Sequence, residues 1–313
     1  MSRGQYILRR LILMIPVLIG VTIITFVLIH LIPGDPAEVM LGIHAKPDSI
    51  AALRHQLGLD RPMWRQYGLY LGHLIRLDLG SSIKFKVNVL TLIQKRIGLT
   101  LLLIGFSTLL TIAISLPLGI LAALKKNSVF DQITRVILMV TMVMPAFWVG
   151  ILLLILFGVK LSLFPVSGYG DGIGGHLSHL FLPALTIALS LAPILVRSLR
   201  ASILQSISAD YVRTARAKGL QEKSVLTAHI LKNALIPSVT LLGLSVGYLM
   251  GSTVIVERVF SLPGVGSLLV DSISARDYPV VQSMTLIFAA FVILVNVVTD
   301  VVYTFLDPRV RLG

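Results

Sequence analysis

Two histidines, His176 and His179, stand three residues apart just after a glycine-rich run that contains Asp171. Two imidazoles and a carboxylate are ligand types that hold divalent metals. One pair without further ligands reads as a solvated loop, so no metal site is expected. Nucleophilic catalysis needs a Ser or Cys brought together with a base and a carboxylate. The chain has no cysteine, which removes disulfides, thiolate zinc sites and Cys nucleophiles. No nucleophile elbow is expected among its serines. Phosphate chemistry calls for G-x-x-x-x-G-K-[ST], whose backbone N–H groups and Lys cradle the phosphates. No Gly-Lys dipeptide occurs in the chain, so any ATP it depends on is bound elsewhere. Catalytic, cofactor-binding and metal-ligating residues are all expected to be absent.

The most informative cluster is Asp210-Tyr211-Val-Arg213-Thr214-Ala215-Arg216-Ala217-Lys218-Gly219. Asp210 suits a helix N-cap. Gly219 suits the left-handed residue just past a helix end. A second helix is expected from about residue 221 to 236, with Val225, Ile230 and Leu231 free to pack. A helix, a glycine corner and a second helix can dock a partner. Small side chains let another surface approach, and basic ones pair with its acids. The alternative is a re-entry loop whose Lys and Arg only set topology.

The elements that position this cluster follow from composition. Of 313 residues, 56% are hydrophobic and 13% charged, about half the charge of a soluble domain. A water-exposed surface needs more charge, and disorder needs less hydrophobicity. Six stretches lack Asp, Glu, Lys and Arg: 11–34, 97–124, 136–159, 177–196, 234–256 and 278–299. Each meets the roughly 20 apolar residues of a spanning helix. The expected fold class is an all-α integral membrane protein with six transmembrane helices. The basic segment 1–10 resembles the start of a signal peptide, but the following apolar run is too long and lacks an A-x-A site, so a retained span is expected.

The net charge of +13 fits basic loops on one membrane face better than nucleic acid binding. With the N-terminus inside, the inner segments carry fifteen Lys and Arg. The outer ones carry three, apart from the long segment 35–96. Both termini are therefore expected in the cytoplasm. Within 35–96, one helical run from Pro47 to Gly58 places Leu53 and Leu57 on a face. Another from Pro62 repeats Trp64, Tyr67, Leu71 and Leu74 up to Gly80. Two short amphipathic helices on the outer membrane surface are expected, as a partner contact or a structural cover. Three units result: 1–34, the tail and first span; 35–96, the outer loop; and 97–313, five further spans with the inner loop 197–237.

Gly243, Gly247 and Gly251 share a helix face, which suits close helix packing, within the subunit or across a dimer. Glu257, Arg258 and Asp300, with Asn296 a turn before it, lie near span ends. Ionisable groups inside membranes usually mark function, but a proton-coupled carrier would place a carboxylate deeper.

The string Asp210–Gly219, followed by His229-Ile-Leu-Lys-Asn-Ala-Leu-Ile-Pro237, resembles the cytoplasmic loop of ABC-importer permeases of the dipeptide/oligopeptide/nickel family. The general signature there is E-A-A-x3-G-x9-I-x-L-P. Gly219 and Ala215 match it, Arg213 replaces the Glu, and Pro237 falls about five residues late. Ile32-Pro-Gly-Asp-Pro36, Leu57-Gly-Leu-Asp-Arg-Pro62, Asp78-Leu-Gly80, Pro165-Val-Ser-Gly168, Pro145 with Trp148, Arg276-Asp-Tyr-Pro279 and Asp307-Pro-Arg309 extend the likeness along the chain.

The resemblance implies a type I ABC importer permease fold with a helical extracytoplasmic insertion. It implies a non-enzymatic transport subunit in a bacterial inner membrane, passing peptides or similar solutes by alternating access. Expected partners are a second, different permease chain, two cytosolic ATPases that use ATP and Mg, an extracytoplasmic binding protein and membrane lipid, with no nucleic acid. Helix 210–218 would couple to the ATPases, and Pro145, Phe147 and Trp148 would border the path. The rival is an ion-coupled secondary transporter without an ATPase.

Overall fold

A computed structural model describes residues 3–31, 36–41 and 46–306. Ile32–Asp35 and Asp307-Pro-Arg309 lie outside the described residues, as do the side chains of Leu53 and Leu57. Among the described residues the secondary structure is helical, with one isolated bridge between Ser81 and Asn88.

The first helix, α1 (Arg3–Leu31), has 29 residues, roughly 44 Å at 1.5 Å per residue, which is enough to span. Among the described residues of the insertion there are three short helices: α2 (Pro36–Leu41), α3 (Pro47–Leu57) and α4 (Met63–Ile75). Gly58, at φ 68, ends α3 as expected. α4 stops five residues before Gly80, because Leu77 takes the left-handed conformation at φ 57. Just beyond it, the Asp78 carboxylate accepts from the Gly80 N–H (3.1 Å) and meets the His73 ring (2.9 Å). Those bonds hold its carboxyl below the usual carboxylate range. α4 docks on α1 through Tyr67, which bonds Thr22 at 2.9 Å and meets Phe26 edge-on. Trp64 stays exposed.

The bundle proper comprises α5 (Val89–Leu124), α6 (Val129–Val143), α7 (Ala146–Leu153) with a π-helical turn at Leu154–Lys160, and α8 (Gly172–Ile207). It continues with α9 (Asp210–Ala217), α10 (Glu222–Ser224), a π-helical turn at Val225–Leu231, α11 (Lys232–Val259), α12 (Val265–Ser274) and α13 (Tyr278–Leu306). Among the described residues of this bundle, four helices are apolar and long enough to cross a membrane. The expected third span, 136–159, is instead broken, with a 108° bend between α6 and α7. Pro145 has no N–H, and a residue before Pro avoids the α region. Met144 accordingly sits at φ −72, ψ 130. Pro237 does not end the second inner helix: residues 222–259 form one continuous helical rod of 38 residues. Membrane helices tolerate an internal Pro when neighbours and local π adjustments satisfy the freed backbone.

Helices in lipid gain little from apolar contact alone and pack through small residues. α5 and α8 meet along most of their length, with Ser107, Thr111, Ser115, Gly119 and Ala122 of α5 buried and Ala184, Thr186, Ala188 and Ala192 of α8 buried. A Cβ on Gly119 would come within 2.9 Å of Leu199. One apolar cluster joins α5, α8, α11, α12 and α13 through Leu103, Leu180, Leu249, Phe260, Leu268 and Met284. A second, at the other end of the bundle, gathers Ala123, Leu199, Ile203, Val212, Ala215, Val225, Ile230 and Ala234.

Two buried carboxylates fasten the end that carries the insertion. Glu257 accepts from the Thr100 hydroxyl at 2.5 Å and the Ser267 N–H at 2.8 Å, which sets it at the N-terminus of α12. Gly264 makes room for it, since a Cβ there would lie 2.2 Å from the carboxylate. Asp277 accepts from the Ser82 hydroxyl and from the N–H groups of Ile83 (3.0 Å) and Lys84 (3.1 Å), tying the entry of α5 to the α12–α13 corner.

Candidate functional site

The corner at Gly219 is built as its residue types dictate. Gly219 has φ 77, and its N–H donates to the Arg216 carbonyl at 2.9 Å. The Leu220 N–H donates to the Ala215 carbonyl at 3.3 Å. This pair of bonds is the Schellman closure of a helix C-terminus. At the other end the N-cap position belongs to Ala209, and Asp210 is the first helical residue rather than the cap. A carboxylate in the first turn still favours the helix dipole.

α9 has two faces. Val212 (0% exposed) and Ala215 (5%) press into the cluster formed by Leu199 and Ile203 of α8, the π-helical Val225 and Ile230, and Ala234 of α11. Asp210, Tyr211, Arg213, Thr214, Arg216, Ala217 and Lys218 face outward. Ala215, a member of the expected partner contact, therefore faces its own chain. Arg216 reaches across the corner to Glu222 through two bonds, Nε to Oε1 at 2.8 Å and Nη2 to Oε2 at 3.2 Å. That carboxylate raises the guanidinium further above its ordinary value. The face left over is short, basic and carried on a helix anchored from behind.

Sequence reasoning missed a second feature beside this site. Arg200 of α8 grips Asp131 of α6 as a fork, with Nε to Oδ1 and Nη2 to Oδ2 both at 2.7 Å. Asp131 is fully buried, and the Asn127 N–H donates to it at 3.0 Å. Ser128 caps α6 by accepting from the Asp131 N–H at 3.3 Å. The cap, though not the fork, was legible as Ser128-x-x-Asp131, a capping-box spacing ahead of an apolar run.

Pro145, Phe147 and Trp148 lie at the bend with Val143 and Met144, around an open apolar hollow. Gly243 and Gly247 face α13: a Cβ on Gly243 would lie 2.2 Å from Thr299, and one on Gly247 3.8 Å from Asn296 and Val292. A Cβ on Gly251 would meet nothing within 4 Å, so this glycine departs from that packing face. Asp300 is partly buried. The His176 ring stacks on Tyr169 at 3.9 Å, and His179 Nδ1 meets the Gly175 carbonyl at 2.8 Å. Residues 243–247, Gly-Leu-Ser-Val-Gly, do have the G-x-S-x-G spacing of a nucleophile elbow. An elbow needs a strand-to-helix turn, whereas Ser245 is mid-helix and donates to the Leu241 carbonyl at 2.8 Å.

Two family models match the chain. "Binding-protein-dependent transport system inner membrane component" covers residues 115–312, and the corresponding N-terminal model covers 3–104. The dipeptide transport system permease protein DppB of Escherichia coli K12 is 38% identical over 334 residues, which cover 98% of each chain. The di/tripeptide transport system permease protein DppB of Pseudomonas aeruginosa is 41% identical, again over 98% of each. The glutathione transport system permease protein GsiC of Salmonella typhi is 39% identical over 98% of this chain and 99% of its own. Among solved structures, an inward-facing form of the MetNI methionine ABC transporter superposes at TM-score 0.58. It is 16% identical and covers 69% of this chain and 96% of its own, a likeness of fold.

Proposed function

Because the chain belongs to the family of binding-protein-dependent transport system inner membrane components, we propose that it is the permease subunit of an ATP-driven importer for short peptides. The single observation that carries the coupling half of this reading is α9: a basic, outward-facing helix whose back is fixed to three bundle elements. The substrate class follows the relatives, whose names specify dipeptides, di- and tripeptides and glutathione. All are short peptides.

The positive-inside distribution of Lys and Arg assigns the α9 end, and both termini, to the cytoplasm. Two cytosolic ATPase chains then bind ATP and Mg, and one of them grips Tyr211, Arg213, Thr214, Ala217 and Lys218. Val212 and Ala215 pass the push inward. A second, different permease chain completes the path beside Pro145, Phe147 and Trp148. An extracytoplasmic binding protein delivers the peptide to the end that carries α3, α4 and α12. This chain makes and breaks no covalent bond, and its own work is to alternate access across the membrane.

The test combines purification with transport. In mild detergent the ATPase chains co-purify with this chain. Gly219→Asp abolishes both that association and peptide uptake while membrane insertion stays intact. Uptake by this chain alone in protein-free liposomes would overturn the proposal.

A further inference from the structure

α8 holds two different elements within a single turn. Leu199 and Ile203 clasp α9 through Val212 and Ala215, and Arg200, between them in sequence, clasps α6 through Asp131. Only two residues, Ser208 and Ala209, separate the end of α8 from α9. The geometry points to the Asp131–Arg200 fork as the positioning pair that carries motion of α9 to the bent third span. The inference rests on the reading of α9 as the ATPase contact.

Three observations support it. First, a bidentate guanidinium–carboxylate pair fixes direction as well as distance, because both groups are planar and two parallel bonds resist rotation. An apolar contact in the same place would slide. Second, Asp131 is fully buried and takes a further bond from the Asn127 N–H, with Arg135 Nε at 3.7 Å. The carboxylate has no slack. Third, α6 is fastened at one end. Its buried side chains are Asp131 and Thr134 in its first two turns, whereas Val136, Ile137, Met139, Val140, Met142 and Val143 are exposed. From Asp131 to the break at Met144 the helix runs about 20 Å. It is a lever gripped at its base, with the bend and the hollow at Pro145–Trp148 at its tip.

The chain has no cysteine, so single introduced thiols report cleanly. The complete transporter, with Cys-free partner chains, is spin-labelled at Ser208→Cys, exposed in the connection that leads into α9, or at Leu152→Cys on α7. Spectra are compared without nucleotide and after trapping with ATP and vanadate, so no transported solute is needed. In the native background both labels change. With Asp131→Asn the label at 208 keeps its full change, and the label at 152 loses at least half of its own. If Asp131→Asn blocks assembly, Arg200→Lys keeps the charge, breaks the fork and is read the same way. A full change at 152 in the variant that assembles, with 208 still responding, overturns the fork as the transmitting pair and leaves α9 as the ATPase contact. No change at 208 in the native background overturns the reading of α9 and the inference with it.

Discussion

Replacing Ala215 by Glu separates a helix that meets its partner with this side chain from one that uses it to hold on to its own bundle. Ala215 and Val212 are the buried residues of α9. Full burial of a Val contributes about 1.5–3 kcal/mol, and an Ala methyl adds roughly 0.8. The apolar hold on α9 is therefore about 2–4 kcal/mol. A Glu at 215 would enter a pocket of Leu199, Ile203, Val225, Ile230 and Ala234. Overpacking costs about 1–3 kcal/mol, and an unpaired buried carboxylate adds several more. The penalty exceeds the hold, so α9 leaves its seat while the bundle, fixed elsewhere, stays folded. Trypsin applied to inverted membrane vesicles reads this directly at Arg213, Arg216 and Lys218. At about tenfold per 1.4 kcal/mol, cleavage there rises at least tenfold in Ala215→Glu. Arg213→Glu, on a side chain that is 77% exposed, leaves the remaining sites protected. Both variants lose ATPase association, for different reasons. Unchanged protection of α9 in Ala215→Glu, with normal uptake, would refute this account of how the helix is held.

Two further substitutions test the packing of the bundle. Gly243→Val drives methyl groups into Thr299, whose side chain lies 2.2 Å from an ideal Cβ, and lowers stability by about 1–3 kcal/mol. Gly251→Ala, with no neighbour within 4 Å, shifts it by at most about 1 kcal/mol, towards greater stability; thermal unfolding in detergent compares the two. Glu257→Ala strips acceptors from the Thr100 hydroxyl and the Ser267 N–H and destabilises by about 3 kcal/mol. Glu257→Gln keeps one acceptor and loses less, so equal melting temperatures for these two variants would contradict the capping role.

Much of the architecture is legible in the chain because lipid imposes a simple rule: long uncharged runs become helices. The runs around residues 11–31, 97–124, 177–196, 234–256 and 278–299 do so. The break in the third run was not legible, because hydropathy does not register direction. Its composition is as apolar as the others, and a single Pro145 turns it by 108°. The corner at Gly219 and the stop at Gly58 were readable because a left-handed residue leaves a local signature. The stop at Leu77 was not, because there a non-glycine residue takes that conformation. Which side of α9 faces inward was also hidden. Ala215 is small enough for either role, and the positions of Leu199 and Ile203 on the preceding helix, with Val225, Ile230 and Ala234 beyond the corner, decide it. Asp131–Arg200, Ser82–Asp277 and Thr100–Glu257 join residues 69, 195 and 157 positions apart, and no local pattern carries such pairs.

The interruption at Met144 has a consequence for permeability. A helix end leaves its last carbonyls without intrahelical donors, and hydrocarbon does not tolerate bare carbonyls at its own depth. The break must therefore sit against water or against a neighbouring polypeptide. Where water is what meets it, that patch of moisture inside an oily slab is a standing risk of ion leakage. The closed state of the assembly has to plug that patch as carefully as the open state exposes it.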